Sequence, residues 1–106
     1  MAHDEQLAAR VRALLAGRDE IAERRMFGGL AFMAGGRLAC AVLGDALLVR
    51  LGADAADAAL DEPHVRPMDF TGRPSRGSVF VDPAGTAADA ALADWVERGV
   101  AFAAGR

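Results

Sequence analysis

Apolar residues recur with a helical period at the start of the chain. Between Asp4 and Ala16 they stand at positions i, i+4, i+7 and i+8, as on one face of an α-helix. The stripe consists of Leu7, Val11, Leu14 and Leu15. Asp4 has a side chain that can cap a helix, and Gly17 can adopt the left-handed conformation that ends one. The pattern therefore predicts a first helix over residues 4–16.

The helical period is lost after this helix, and the pattern becomes typical of strands. We expect residues 21–33 to form one extended segment with a bulge or a kink at Gly28-Gly29. Gly35-Gly36 and Gly44-Asp45 each lie between apolar runs and are typical of two-residue hairpin turns. The two turns predict a three-stranded antiparallel meander.

Counting outward from the two turns assigns each residue of the meander to one face of the sheet. The face that we expect to carry the helices has Ala31, Met33, Leu38, Cys40, Val42, Leu47, Val49 and Leu51. The opposite face has Leu30, Phe32, Ala39, Ala41, Leu43, Leu48 and Arg50. This second face is nearly as apolar as the first, although a solvated face should alternate to polar residues. We therefore predict a contact surface for a protein partner or a second copy of the chain, formed by Leu30, Phe32, Leu43 and Leu48.

The second half of the chain again alternates between helical and extended patterns. A short helix is predicted to begin at Asp54 and to end before Pro63, because the residue that precedes a proline rarely adopts the helical conformation. Two strands are predicted over residues 65–70 and 78–82, joined by a loop that contains Gly72 and Gly77.

A last helix completes the pattern. Thr86 and Asp89 have the spacing of a capping box, and Gly99 on the apolar face of the helix suggests a close approach to the sheet. The resulting order is α-β(3)-α-β(2)-α. It predicts a single domain over residues 1–106 of the two-layer α+β class, in which an antiparallel sheet carries its helices on one face.

Composition limits the possible functions of this domain. The 106 residues carry a net charge of −3, which argues against direct nucleic-acid binding, where a basic face is expected. No apolar stretch reaches the ~20 residues needed to cross a bilayer. The N-terminus has no basic segment followed by an apolar run, so we expect a cytoplasmic protein with no membrane partner. All twelve basic residues are arginine, but lysine, asparagine and tyrosine are all absent, which is typical of GC-rich codon usage.

The sequence contains no recognisable catalytic constellation. Cys40 is the single cysteine, and its only possible histidine partners are His3 near the terminus and His64 in a predicted loop. These three residues have no recognised metal-ligand spacing, and no Gly-rich cofactor loop is present. We therefore expect neither an enzyme nor a metal or cofactor.

One group of residues could form an anion site. Arg25 stands beside Gly28-Gly29, whose backbone N–H groups could converge on an anion, and Arg73 and Arg76 follow in the loop between the last two strands. If the two regions meet, they form a positive patch that could bind a small anion or a nucleotide. The alternative is purely structural, with the glycines as a bulge and the loop as a plain turn.

Three segments, taken together and in this order, resemble the N-terminal domain of the TfoX/Sxy family. They are residues 26–33 (MFGGLAFM), 44–52 (GDALLVRLG) and 66–74 (RPMDFTGRP). The likeness extends from about Asp4 to Phe102. It implies an α-β(3)-α-β(2)-α fold that is similar in outline to secretion chaperones, in agreement with the order derived above.

The resemblance also implies a class of function. The name-giving members are bacterial regulators of natural competence that act on transcription with the cAMP receptor protein and carry a second, helical domain. Because this chain ends at Arg106, we expect a stand-alone first domain that makes no direct contact with DNA. We hypothesise a non-enzymatic regulatory module that acts through protein contacts, in particular as a homodimer; the alternative is a small-anion or nucleotide sensor.

Overall fold

The computed structural model describes residues 3–26, 28–70 and 73–105, and the side chains of all of these except residues 69, 70 and 73–76. The helices are α1 (Glu5–Leu15), α2 (Ala53–Ala59), α3 (Pro83–Thr86) and α4 (Asp89–Ala103). The strands are β1 (Ile21–Met26), β2 (Gly29–Ala34), β3 (Arg37–Leu43), β4 (Ala46–Arg50), β5 (Val65–Phe70) and β6 (Arg73–Val81). All six strands form one antiparallel sheet in the order β1-β2-β3-β4-β6-β5. The predicted α+β class is confirmed.

The helix layer begins with α1, whose N-terminus is capped as predicted. The Asp4 carboxylate accepts hydrogen bonds from the backbone N–H groups of Gln6 and Leu7, at 2.8 and 3.2 Å. The apolar stripe of α1 packs on the sheet except for Leu14, which is 38% exposed. None of the helices in the described ranges is long and apolar enough to span a membrane.

The first extended segment forms two strands, not one kinked strand. β1 pairs antiparallel with β2 from Ile21 opposite Ala34 to Met26 opposite Gly29. Gly28 has a φ of +76°, which a residue with a side chain rarely adopts, and this conformation lets the chain reverse there. The sheet therefore has four strands before α2, and β1 becomes one of its two edges.

The last helix approaches the sheet as closely as its glycine suggested. A Cβ atom at Gly99 would overlap the carbonyl oxygen of Ala39 in β3, so only glycine fits at this crossing. The predicted capping box is wrong, because Thr86 ends the short helix α3 and its hydroxyl donates to the Pro83 carbonyl. The N-cap of α4 is Ala88.

The face of the sheet beneath the helices carries the main core. Its members in the four strands before α2 are Leu30, Phe32, Ala34, Ala39, Cys40, Val42, Leu47 and Val49. The faces predicted for β3 and β4 are correct from Cys40 onward, but those predicted for β2 are wrong. The β2–β3 pairing shifts between Phe32 opposite Cys40 and Met33 opposite Leu38, which leaves Ala39 as an extra residue. A shift of one residue moves side chains to the other face, so Leu30 and Phe32 lie in the core.

The opposite face, which we call the outer face, carries a second and smaller cluster. Its buried members are Ala31, Met33, Ala41, Ala46, Leu48, Met68 and Phe80, and Met26, Leu38 and Leu43 are partly buried against it. Leu48, a predicted partner contact, is 1% exposed within the single chain. Among the described residues, the large exposed hydrophobic side chains are Leu14 and Leu60, and both lie outside the sheet.

Candidate binding site

The arginines divide into two groups according to their partners. Those that form ion pairs with carboxylates at 2.6–3.1 Å are Arg10, Arg12, Arg18, Arg66 and Arg98. Within the part of the chain that the structure describes, those with no carboxylate partner are Arg24, Arg25, Arg37 and Arg50. All four of the latter lie in β1, β3 or β4. The unpaired positive charge is therefore concentrated on the sheet.

A groove opens near the end of the sheet where β2 and β4 end and β3 begins, and it extends to Met26 at the other end of β1. Its volume is about 490 Å³, and its lining is Met26, Met33, Gly36, Arg37, Leu38, Arg50 and Phe102. We call it the outer groove, because Met33 and Leu38 belong to the outer face. The volume lies within the range of small-ligand sites, about 300–1,000 Å³. The groove combines an apolar surface with two of the unpaired arginines.

The position of Arg50 in this groove is fixed by the end of α4. Its guanidinium lies over the Phe102 ring, 5.6 Å from the centroid, as in a cation–π contact. Gly52 lets the chain pass beneath the same ring, because a Cβ atom there would stand 2.8 Å from Phe102 Cε1. The N–H groups of Leu51 and Gly52 both donate to the carbonyl of Gly77, at 2.7 and 3.0 Å. The groove wall is thus anchored to both β4 and β6.

Negative charge lies mainly outside the sheet. Among strand residues whose side chains the structure describes, the only carboxylate is Glu23, which faces α1 and pairs with Arg12. The helical layer, by contrast, carries Asp54, Asp57, Asp89, Asp94 and Glu97. On the outer face Arg66 lies 4.8 Å over the Phe80 ring and pairs with Asp82, just beyond β6. The outer groove is therefore a basic site on an acidic protein.

The predicted anion patch falls in two separate regions of the sheet. Arg25 is exposed on β1, whereas β6, which contains Arg73 and Arg76, is separated from β1 by three strands. In β6, Val81 lies opposite Leu47, at the same end of the sheet as Gly28. Arg73, the first residue of β6, therefore lies at the opposite end of the sheet. The side chains of Arg73 and Arg76 lie outside the described residues, so their grouping with Arg25 stays a prediction.

Gly29, the other glycine of the predicted patch, is required by the packing of two strands. A Cβ atom there would overlap the backbone carbonyl oxygen of Val42, so the close approach of β2 and β3 requires glycine.

Of the predicted partner contacts, Leu43 and Leu48 lie on the outer face, and Leu30 and Phe32 lie beneath the helices. These four residues therefore do not form one surface.

A second concave site, which we call the edge cleft, lies between the start of α1 and the edge strand β1. Its volume is about 310 Å³, and its lining is His3, Glu5, Arg12, Glu23, Arg24, Arg25 and Leu30. Arg12 donates to both oxygens of Glu23, at 2.6 and 2.9 Å, and these hydrogen bonds lower the pKa of the Glu23 carboxyl. Sequence reasoning found Arg25 but missed His3, which a bridge to Gly44 brings into the cleft.

The single cysteine is not part of either site. Cys40 lies in the core beneath the helices, as its register predicted, and burial raises the pKa of its thiol to about 12. A thiol with so high a pKa is a poor nucleophile at neutral pH, because the thiolate is the reactive form. In the described ranges, no three metal-binding side chains come together.

Comparison with protein families identifies the domain. The family model of the TfoX N-terminal domain matches residues 13–103 of the 106. The chain belongs to the TfoX N-terminal domain family. Neither the curated proteins nor the solved structures gave a match to it. All residues that line the outer groove lie within the range matched by the TfoX N-terminal domain, whereas His3, Glu5 and Arg12 of the edge cleft precede it.

Proposed function

We propose that this TfoX N-terminal domain is a non-enzymatic regulatory module that binds an acidic, partly apolar segment of a protein partner in the outer groove. One observation carries this proposal: the groove combines apolar side chains with Arg37 and Arg50, neither of which has a carboxylate partner among the described residues. The regulatory part of the proposal rests on the resemblance to the competence regulators.

The chemistry of the groove favours such a segment over a neutral one. Apolar side chains of the partner would contact Met26, Met33 and Leu38. The two methionine side chains are flexible and can adapt to irregular shapes. A carboxylate of the partner would accept hydrogen bonds from a guanidinium, a charge-assisted contact that is stronger than a neutral one. The excess of carboxylates elsewhere on the chain would repel an acidic partner and so direct it to this groove.

The partner need not be a second copy of this chain. The argument for a homodimer began from an exposed apolar face, and Leu48 at the centre of that face is buried within one chain. Self-association through the groove would place a carboxylate of one copy against Arg37 or Arg50 of the other. The experiment below distinguishes this outcome from binding of a different protein.

Photo-crosslinking tests the proposal. A photo-reactive p-benzoylphenylalanine would replace Leu38 in the groove, and a control would carry it at Leu60, an exposed position after α2. We expect the Leu38 probe to capture a protein segment with net negative charge, identified by mass spectrometry, and Arg37→Gln with Arg50→Gln to abolish the adduct. The Leu60 probe should not capture that segment.

Two results would contradict the proposal. One is the same set of adducts from both probe positions, which would indicate nonspecific capture. The other is an adduct at Leu38 that survives loss of both arginines, since the guanidiniums would then have no part in binding. An adduct between two copies of the chain that needs the arginines would identify the partner as a second copy.

The alternative function, sensing of a small anion, receives no support from the patch that combines Arg25 with Arg73 and Arg76, because the sheet separates these strands.

A further inference from the structure

The two edges of the sheet differ in how readily they could accept a further strand. At the edge formed by β5, Asp82 donates its N–H to the His64 carbonyl at 2.9 Å. Hydrogen-bonded and non-bonded pairs alternate along antiparallel strands, so the main-chain groups of Pro67 face away from β6. Proline has no N–H to donate, and the pairing also shifts between Pro67 and Asp69. A proline and a bulge are both typical of edges that resist pairing.

The edge formed by β1 has neither of these features. β1 pairs with β2 in an unbroken register and contains no proline. Just before β1, the Glu20 carbonyl accepts a hydrogen bond from Gly35 N–H at 2.9 Å, which identifies these two residues as a hydrogen-bonded pair. By the same alternation, the main-chain groups of Glu23 and Arg25 point away from β2.

Glu23 and Arg25 together present two N–H donors and two carbonyl acceptors at this edge, and both residues are exposed. Within the described part of the chain, no other main-chain or side-chain group bonds to these four groups. An open edge of this kind can bind an extended segment, since main-chain hydrogen bonds provide affinity and alternate side chains provide specificity. We call it the β1 edge.

The side chain beside these groups on the outer face is positive. Arg24 lies opposite a residue of the outer cluster, and it has no carboxylate partner among the side chains that the structure describes. Met26 lies on the same face, two positions further along β1, and lines the outer groove. Beneath the helices, by contrast, two carboxylates accompany two guanidiniums, so that face has no excess charge. The β1 edge therefore favours a segment with a carboxylate beside Arg24 and an apolar side chain beside Met26.

A second copy of the chain fits this edge poorly. Two copies related by a two-fold axis would pair antiparallel, so the residue on the axis would face its own counterpart. The residues that could lie on the axis while the free main-chain groups bond to each other are Glu23, Arg24 and Arg25. Each of them would place like charges directly opposite each other, which destabilises a pair of strands. A segment of a different protein avoids this repulsion.

We infer that an extended, acidic segment of a protein partner adds to the β1 edge as a further antiparallel strand, with a carboxylate facing Arg24 and an apolar side chain facing Met26. The inference deepens the proposed function, on which it rests for the nature of the partner, because Met26 belongs to both the edge strand and the outer groove. The partner runs antiparallel to β1. Its pattern is thus an apolar residue, any residue and an acidic residue, in that order.

NMR titration with the peptide SIQETV, acetylated and amidated at its ends, tests the inference. In the inferred register its isoleucine faces Met26, its glutamate faces Arg24 and its threonine faces Glu23. We expect saturable binding, downfield shifts of the Glu23 and Arg25 amide protons, and a nuclear Overhauser contact between the Hα atoms of Arg24 and the peptide glutamate. This contact is typical of a non-bonded antiparallel pair, in which the two main chains are closest.

Two methylated peptides test the main-chain hydrogen bonds. N-methylation of the threonine removes the N–H that would bond to the Glu23 carbonyl, so we expect the peptide to lose saturable binding. N-methylation of the glutamate, whose N–H faces away from β1, should change the dissociation constant much less. Equal weakening by the two changes would overturn the inference.

Charge reversal on both sides tests the role of Arg24. Arg24→Glu should raise the dissociation constant of SIQETV several-fold, because opposite charges across the strand pair become like charges. The peptide SIQKTV, with lysine in place of glutamate, is the matched control and should bind Arg24→Glu better than the wild type. Near-identical amide spectra of the two free proteins would show that the variant is folded. An affinity for SIQETV that Arg24→Glu leaves unchanged would contradict the inference.

The outcomes separate strand addition from binding in the groove. Shifts confined to Met33 and Leu38, without the Hα contact, would overturn strand addition and leave the groove as the binding site. The Hα contact, together with failure of the Leu38 probe to capture a partner, would support strand addition and count against the groove. Absence of saturable binding by SIQETV would overturn the inference.

Discussion

On one face of the sheet Leu47 is fully buried in the cluster to which α1 and α4 contribute, and on the other Leu48 is buried to almost the same degree in a cluster that contains no helical residue. The two residues are neighbours in β4, yet different elements exclude water from them. Helices cover the first face, whereas strand residues that pack on one another close the second. The outer face therefore combines a dry centre at Leu48 with an open groove that reaches Met33 and Leu38.

The largest expected effect compares these two leucines directly. We expect Leu47→Ala to lower the free energy of unfolding by about 4 kcal/mol and Leu48→Ala by about 2–3 kcal/mol, because buried Leu→Ala changes cost about 2–5 kcal/mol and the smaller cluster can collapse more easily. Urea unfolding of each variant provides the measurement. A loss below about 1 kcal/mol for Leu48→Ala would show that the outer cluster is not packed in solution.

Cys40 reports on how dry the helix-covered face is. Burial raises the pKa of its thiol from 9.0 to about 12, so the folded state keeps a proton that the unfolded state loses. Stability is therefore full below about pH 9 and falls as the pH rises from 9 to 12, by about 1.4 kcal/mol per pH unit. The chain has no lysine or tyrosine to titrate in this window.

Unfolding measured across that pH range checks this expectation. Cys40→Ala removes the titrating group, so its stability should fall much less between pH 9 and 12 than that of the wild type. Equal slopes for the two proteins would mean that solvent reaches the thiol in the folded state.

The crossing of α4 over β3 gives a smaller effect. We expect Gly99→Ala to destabilise the protein by about 1–3 kcal/mol, because overpacking outweighs the better helix propensity of alanine. Ala101→Gly in the same helix isolates the propensity contribution, about 1 kcal/mol. Thermal unfolding of both variants measures the two effects. A Gly99→Ala variant that is more stable than the wild type would show that α4 does not approach Ala39 closely.

The smallest effect is at the ion pair between the two layers. Arg12 holds the pKa of the Glu23 carboxyl below its ordinary value, mainly through hydrogen bonds. The ion pair therefore contributes to stability at pH values above the ordinary pKa of a glutamate. This contribution is lost as the pH falls through the lowered pKa of Glu23. Carbon-detected NMR titration should show the Glu23 pKa returning to its ordinary range in Arg12→Gln. No rise would mean that the pair does not form in solution.

Local signals in the sequence predicted much of this fold. Asp4 caps α1, the hairpin glycines close their turns, and Gly99 marks a close contact, because each effect depends on neighbouring residues or on backbone conformation. The bulge at Ala39 could not be found in this way, since the turn at Gly35-Gly36 suggests a regular register. That single extra residue reversed the faces of β2 and misplaced Leu30 and Phe32.

The candidate sites were less predictable than the fold. The outer groove brings together Met26, Arg37, Arg50 and Phe102, which lie up to 76 positions apart in the chain. No local pattern links them, because they come from three strands and α4, and Arg50 meets Phe102 only in the tertiary structure. The charge asymmetry depends on which of the described arginines pair with carboxylates, and those pairs join residues far apart in the chain.

The central claim is that the outer groove, and not the core beneath the helices, takes an anionic apolar ligand. The anionic dye 8-anilinonaphthalene-1-sulfonate tests it on protein labelled at the methionine methyl groups. We predict saturable binding by the folded protein, shifts of the Met26 and Met33 methyl signals with the Trp95 indole signal unchanged, and affinity at least several-fold weaker in Arg50→Gln than in the control Arg18→Gln. Saturable binding that shifts Trp95 instead, or that Arg50→Gln leaves intact, would contradict the claim, as would no binding at all.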